Sequence, residues 1–169
     1  MSLIDTPFFF ILYTTHAFAL NQNPNLIGHE VIESYVLSSV FEIREEIRQF
    51  LESEGQVDLA NLFGDEDFQL KIAYMSDIFS FMNTLNTQMQ GGNKFYHDVV
   101  DMLDKFQGNL NLTKASLDDG DFSPFPNTQD LIRFQEIQSP NTTFIGDHIT
   151  SLLDGMSKYF NCPDSLTFD

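Results

Sequence analysis

The sequence predicts an all-α fold, a single helical bundle of about four main helices behind an irregular N-terminal leader. Two observations predict it. Beyond Pro24 the apolar residues recur at steps of three and four, the spacing that lines them along one side of an α-helix. Gly55, Gly91-Gly92, Gly120, Pro124, Pro126 and Pro140 fall between those stripes, and no alternating strand pattern of useful length follows Pro24. At 169 residues and 42% apolar content the chain fits one domain with a core of its own. Residues 1–28 read as an apolar leader and polar linker, 29–160 as the helical domain and 161–169 as an irregular tail.

Taken in order, the first stripe is Val36, Val40, Ile43, Ile47, Phe50 and Leu51, which predicts a helix from about Glu30 to Ser53 stopped by Gly55. Glu42, Arg44, Glu45, Glu46 and Arg48 occupy its other faces. A short amphipathic segment with Val57, Leu59, Leu62 and Phe63 follows. Asp65-Glu66-Asp67 opens the next helix, where an acidic first turn meets free amides and the positive end of the helix dipole. Its stripe runs from Phe68 through Ile72, Met75, Ile78, Phe79, Met82 and Leu85 to Met89, and the phase drifts enough to pack more than one side. Gly91-Gly92 ends it and Asn93 is placed to cap the third long helix, from Phe95 through Val99, Leu103, Phe106 and Leu110 to Leu117. Asp118-Asp119-Gly120-Asp121 terminates that helix as a turn; its glycine position and the missing twelfth-position Glu do not fit a calcium loop. Pro124 and Pro126 keep Phe122–Pro126 out of a helix interior. A short helix is predicted around Thr128 to Glu136, and a last one from about Thr142 to Phe160 with Phe144, Ile145, Ile149, Leu152, Leu153, Met156, Tyr159 and Phe160 on its apolar side.

Charge excludes some classes of partner. With 25 acidic against 8 basic residues the formal charge is -17, so phosphate backbones and anionic membranes are repelled. Direct nucleic-acid binding and membrane association are therefore not expected, and the protein partner is left open. Cys162 is the single cysteine, which rules out an internal disulfide and suits a reducing compartment, nuclear or cytoplasmic. The leader gives a minor alternative: Phe8-Phe9-Phe10-Ile11-Leu12-Tyr13 and Ala17-Phe18-Ala19 resemble the core and cleavage site of a secretory signal, and Asn111-Leu112-Thr113 and Asn141-Thr142-Thr143 are glycosylation sequons. Asp5, and the absence of Lys or Arg from the leader, argue against it.

A search for chemistry finds no catalytic, cofactor-binding or metal constellation. His16, His29, His97 and His148 lie far apart in sequence. His97 and Asp101 sit one helical turn apart with Asp104 beside them, a pattern that a solvated helix face explains. No phosphate-binding loop, dinucleotide fingerprint or nucleophile elbow occurs.

One resemblance is specific. Val40-Phe41-Glu42-Ile43-Arg44-Glu45-Glu46-Ile47-Arg48-Gln49-Phe50-Leu51 resembles the VFELREEIRxFL segment of hAT superfamily transposases and their domesticated relatives, the BED zinc-finger and II-I repeat domain-containing proteins. Leu70–Phe79 and Leu85–Gly91 resemble the family's LAYLxDIFxxLNxLNxxLQG pattern, Asp98–Phe106 its DxxxxFxxKL continuation, and Phe122–Pro126 its NFxxFP element. Together they cover roughly Val36 to Phe160 in the family's order. The resemblance implies a helical insertion within a nuclease domain of ribonuclease-H type. The family's catalytic acids, zinc finger and dimerisation segment lie outside this region, so none maps onto a residue here. A Trp-bearing RWLSRG element, associated in transposases with the DNA hairpin step, is replaced by Gly28-His29-Glu30-Val31-Ile32-Glu33.

The expectation is thus a non-catalytic, transposase-derived helical domain, without cofactor, that acts by protein interaction and self-associates through an exposed apolar helix face. The alternatives are an accessory part of a nuclease-type transposase that needs missing segments, and a secreted helical protein.

Overall fold

A computed structural model of the chain describes residues 36–89, 95–135 and 140–160. The fold is all-α. Helical residues 36–42 are followed by α1 (Arg44–Ser53), α2 (Val57–Gly64), α3 (Glu66–Met89), α4 (Tyr96–Asp118), α5 (Pro126–Phe134) and α6 (Thr143–Phe160). The count exceeds four because the short segments between the long stripes are helices too. The leader, Gly91-Gly92, Asn93 and the tail with Cys162 lie outside the described residues.

The ends of the helices follow their sequence signals. Gly55 has φ +71°, its N–H donates to the Glu52 carbonyl at 3.1 Å, and the Gln56 N–H donates to Leu51 at 2.8 Å. This pair of bonds closes α1 as a Schellman motif, which requires a left-handed residue. Gly120, at φ +75°, ends α4 with its N–H on the Leu117 carbonyl at 2.9 Å. Gly55→Ala and Gly120→Ala should each cost about 1 kcal/mol, a strain read by chemical denaturation, because no atom blocks the added Cβ and only the backbone conformation opposes it. Asp65 caps α3 as its position suggests, accepting the Phe68 N–H at 2.9 Å. At the start of α4 the Asp98 carboxylate accepts the Phe95 N–H at 2.8 Å.

Two boundaries differ from the expectation. The single helix to Ser53 bends at Ile43 (φ -100°, ψ 23°), although the Ile43→Ser39 and Ile47→Ile43 bonds at 3.0 and 2.9 Å keep helical bonding on both sides. At the bend Arg44 Nη1 donates to the Phe41 carbonyl at 2.7 Å and its guanidinium lies over the Phe41 ring at 4.4 Å. A side chain that takes a helix carbonyl opens the ladder locally. The short helix begins at Pro126, two residues before Thr128, because the fixed φ of proline suits the first helical position.

The chain forms two compact units, and one of the points where it passes between them is Thr84–Leu85 within α3. One unit, Asn25–Thr84 with Asp121–Thr142, has a core of Phe41, Ala60, Leu70, Ala73, Tyr74, Ile78, Phe79, Phe125 and Leu131. Buried α3 residues fall on more than one side of the helix, as the drifting stripe predicts. In the other unit, Leu85–Gly120 and Thr143–Asp169, Leu103, Phe106 and Leu110 of α4 and Ile145, Ile149, Leu152 and Met156 of α6 are buried at alternating steps of three and four. Gln107 donates to Ser157 at 3.1 Å and Lys114 to Thr150 at 2.8 Å. One number rises as the other falls, so α4 and α6 run antiparallel. Burial holds the His148 imidazole of α6 below its ordinary value of 6.5. A folded pKa below the unfolded one adds stability that is present above pH 6.5 and is lost as pH falls through the folded value. Thermal melts should therefore show a loss between about pH 7 and pH 5 that is smaller in His148→Gln.

Candidate functional site

The sequence assigns no site residue, and the structure gathers two groups of side chains, only the first of which apolar periodicity passes over. The first is buried and polar. Helix α5 begins Phe125-Pro126-Asn127-Thr128, and the residue at its N-cap, Phe125, has no side-chain acceptor. Its free amides are nonetheless satisfied. Asp77 of α3 accepts the Asn127 N–H at 3.0 Å on one oxygen, and the Thr128 N–H and hydroxyl, both at 2.9 Å, on the other. A carboxylate from one helix thereby caps another.

The cap belongs to a polar line along α3. Ser76 Oγ lies 2.9 Å from Ser38 Oγ and accepts from Asn127 Nδ2 at 3.2 Å. One heptad earlier, Gln69 donates to the Phe63 carbonyl at 2.7 Å and accepts from Gln135 at 2.6 Å. Thr128 meets Asp77 while Gln135 meets Gln69, so α5 runs antiparallel to α3 in a register set by hydrogen bonds. Phe125 seals the junction edge-on against the Tyr74 ring, centroids 5.3 Å apart. Burial pushes the Asp77 carboxyl up from the ordinary carboxylate range, against the pull of its bonds to Thr128 and Asn127. Burial does the same to the Tyr74 phenol, helped by the Asp77 charge. These groups are occupied by structure: the Asp77 carboxylate holds the Asn127 and Thr128 amides and the Thr128 hydroxyl.

The second group is exposed and apolar. The α1–α2 hairpin closes where Ala60, its buried small residue, is followed one turn on by Gly64, at which a Cβ would lie 3.5 Å from the Arg48 side chain. The apolar stripe along α1 is only half covered. Ile43 and Phe50 are exposed, Ile47 and Leu51 are half-buried, and α1 has no buried residue. On α2, Val57, Leu59 and Leu62 are exposed; Phe50 and Val57 keep 63% and 59% of their surface in solvent. Isolated exposed leucines are ordinary, but five large apolar residues on one short hairpin are a concentration.

Charge surrounds them. Between Glu42 and Asp67 nine acidic residues face two arginines, Arg44 and Arg48. Arg48 is spent on Glu45, at 2.6 Å, and on Glu52. The Arg48 hydrogen bond holds the exposed Glu45 carboxyl down to about 2. Among the described residues no ion pair reaches Glu42, Glu46, Glu54 or Asp58.

The remaining candidates stay apart. His97 is exposed, stacks on Phe95 with centroids 5.7 Å apart, and lies 3.4 Å from Asp98. Asp101 and Asp104 are exposed on the same helix. Among the described residues no three His, Cys, Asp or Glu side chains are grouped to hold a metal ion. Asp121 folds back on its own turn, accepting the Ser123 N–H and hydroxyl at 2.9 and 2.8 Å. Thr113 of the first sequon is buried inside α4, while Asn141 of the second is exposed. His16, His29 and Cys162 lie outside the described residues. No helix among the described residues is long and apolar enough to cross a membrane.

Comparison with known proteins adds one match. A model of the FAM200-GTF2IRD2-like family, described as the FAM200/GTF2IRD2 helical domain, matches residues 30–118, a span that includes the hairpin, α3 and α4. No solved structure matches the chain.

Proposed function

Because the chain belongs to the FAM200/GTF2IRD2-like family of helical domains, we propose that it is a transposase-derived domain of hAT type that carries out no chemistry and works by binding protein. The exposed apolar side chains of the α1–α2 hairpin carry this reading. A surface of that composition is more often a contact region than a solvated face. Asp77, the most buried carboxylate described, is committed to capping α5 and has no oxygen turned to a substrate. Domestication of a transposase of the BED zinc-finger or II-I repeat type accounts for the order of the motifs. A nuclear or cytoplasmic setting suits a chain with one cysteine.

Self-association through the hairpin is part of the reading. Two copies bring acidic side chains together, so the equilibrium should strengthen with salt as that repulsion is screened. Sedimentation velocity at rising salt is expected to show a dimer that Phe50→Ser/Leu59→Ser abolishes, with circular dichroism unchanged because both residues are exposed. A monomer at every salt and high concentration contradicts self-association. The purified chain is further expected to leave DNA intact in Mg²⁺ or Mn²⁺; cleavage abolished by replacing one carboxylate contradicts the absence of chemistry.

A further inference from the structure

The α1–α2 hairpin combines two features that restrict what can cover it. Three of its five exposed apolar residues have an acidic neighbour one turn away. Glu46 lies three residues after Ile43 and four before Phe50, Glu54 follows Phe50 by four, and Asp58 precedes Leu62 by four. None of these three acids is in an ion pair with a described residue. Burying the apolar residues therefore brings the acids to the rim of the contact.

An uncharged partner would desolvate those carboxylates without compensation, and a second copy sets acid against acid, so self-association competes only at high salt. Phosphate backbones and anionic lipid surfaces are repelled by the same side chains. A segment with apolar residues along one side and Lys or Arg along its flanks meets both demands. On a hairpin of two short helices, a third amphipathic helix is the form that presents such a pattern at matching spacing.

We propose that the hairpin binds a basic amphipathic helix of another protein, its apolar side chains on Phe50, Leu59 and Leu62 and its cations against Glu46, Glu54 and Asp58. This rests on the protein-binding reading above and names the chemistry of the partner. Association depends on salt in the sense opposite to self-association, weakening as ionic strength rises.

The test uses the full chain and two fluorescent helical peptides of about 18 residues, five turns, one of leucine and lysine and one with glutamate in place of lysine. By anisotropy the lysine peptide is expected to bind and the glutamate peptide to fail. Raising salt from about 50 mM to about 500 mM should weaken binding about tenfold. Phe50→Ser/Leu59→Ser and Glu46→Gln/Asp58→Asn should each lose about tenfold, as central anchors and their charged rim do. Leu112→Ser, an equally exposed residue on α4, should lose nothing and so separates this surface from general attraction to an acidic protein. Equal binding of both peptides, or equal losses in Leu112→Ser and the hairpin variants, overturns the proposal. If the glutamate peptide engages Phe50 and Leu59 instead, the basic partner is wrong while the protein-binding reading stands. Indifference of every complex to Phe50→Ser/Leu59→Ser removes both.

Discussion

Asp77→Ala is expected to lower the free energy of unfolding by about 3–5 kcal/mol, measured by chemical denaturation followed by far-ultraviolet circular dichroism. The substitution strands three donors: the Asn127 and Thr128 amides and the Thr128 hydroxyl. Thr128 is fully buried, so water does not replace the carboxylate there, and each stranded donor costs on the order of 1–3 kcal/mol. Relief of the desolvated charge offsets part of that sum. Asp77→Asn should cost less, about 2 kcal/mol, because one amide oxygen still serves Thr128 while the amide nitrogen is turned on the Asn127 N–H. The pH dependence has a fixed sign. Since burial raises the folded pKa of Asp77 above the unfolded one, its contribution is fully present below the unfolded value and is lost as pH rises through the folded value. The deficit of Asp77→Ala should therefore be larger near pH 4 than at pH 7. A deficit below about 1 kcal/mol would show that α5 does not depend on its borrowed cap.

Ile149→Ala is the second large effect, expected at about 3 kcal/mol by the same measurement. Ile149 is fully buried and stands in the middle of the α6 stripe, between Ile145 and Leu152. Removing its branched end sacrifices the transfer free energy of three carbons and leaves a cavity that a packed helix pair fills poorly. Ile149→Val, which removes one methyl, should cost about 1 kcal/mol, and the ratio between the two tests whether the site is as tightly filled as its burial implies.

These two residues also mark how far the sequence could be read. Ile149 was legible: the steps 145, 149, 152, 156 are the helical period itself, and the same residues are buried. Gly55, Gly120 and Asp65 were legible too, because turn and cap chemistry is local. Asp77 was not. Reading α3 by its apolar stripe passes over Gln69, Ser76 and Asp77, whose role depends on a helix 50 residues further on. A signal was nonetheless present: a helix that starts Phe-Pro-Asn-Thr supplies no acceptor of its own, so its amides must be satisfied from elsewhere. Tyr74 and Phe125 lie in two separate motif stretches of the sequence, and the contact between their rings gives that spacing a structural cause.

The hairpin is the converse case. Periodicity reports which residues share a helix side and not whether anything covers it, so the stripe through Ile43 and Phe50 marks one side of a helix and leaves open that both are exposed. What makes the hairpin unusual is the joint occurrence of that uncovered stripe with acids no described cation matches.

Capture of the full chain from cells, with the bound proteins quantified by mass spectrometry against Phe50→Ser/Leu59→Ser, tests most directly whether this surface is where the domain works. The expected result is a protein recovered with the unaltered chain and lost with the double variant, whose circular dichroism is unchanged. The same set of proteins retained by both chains would contradict it.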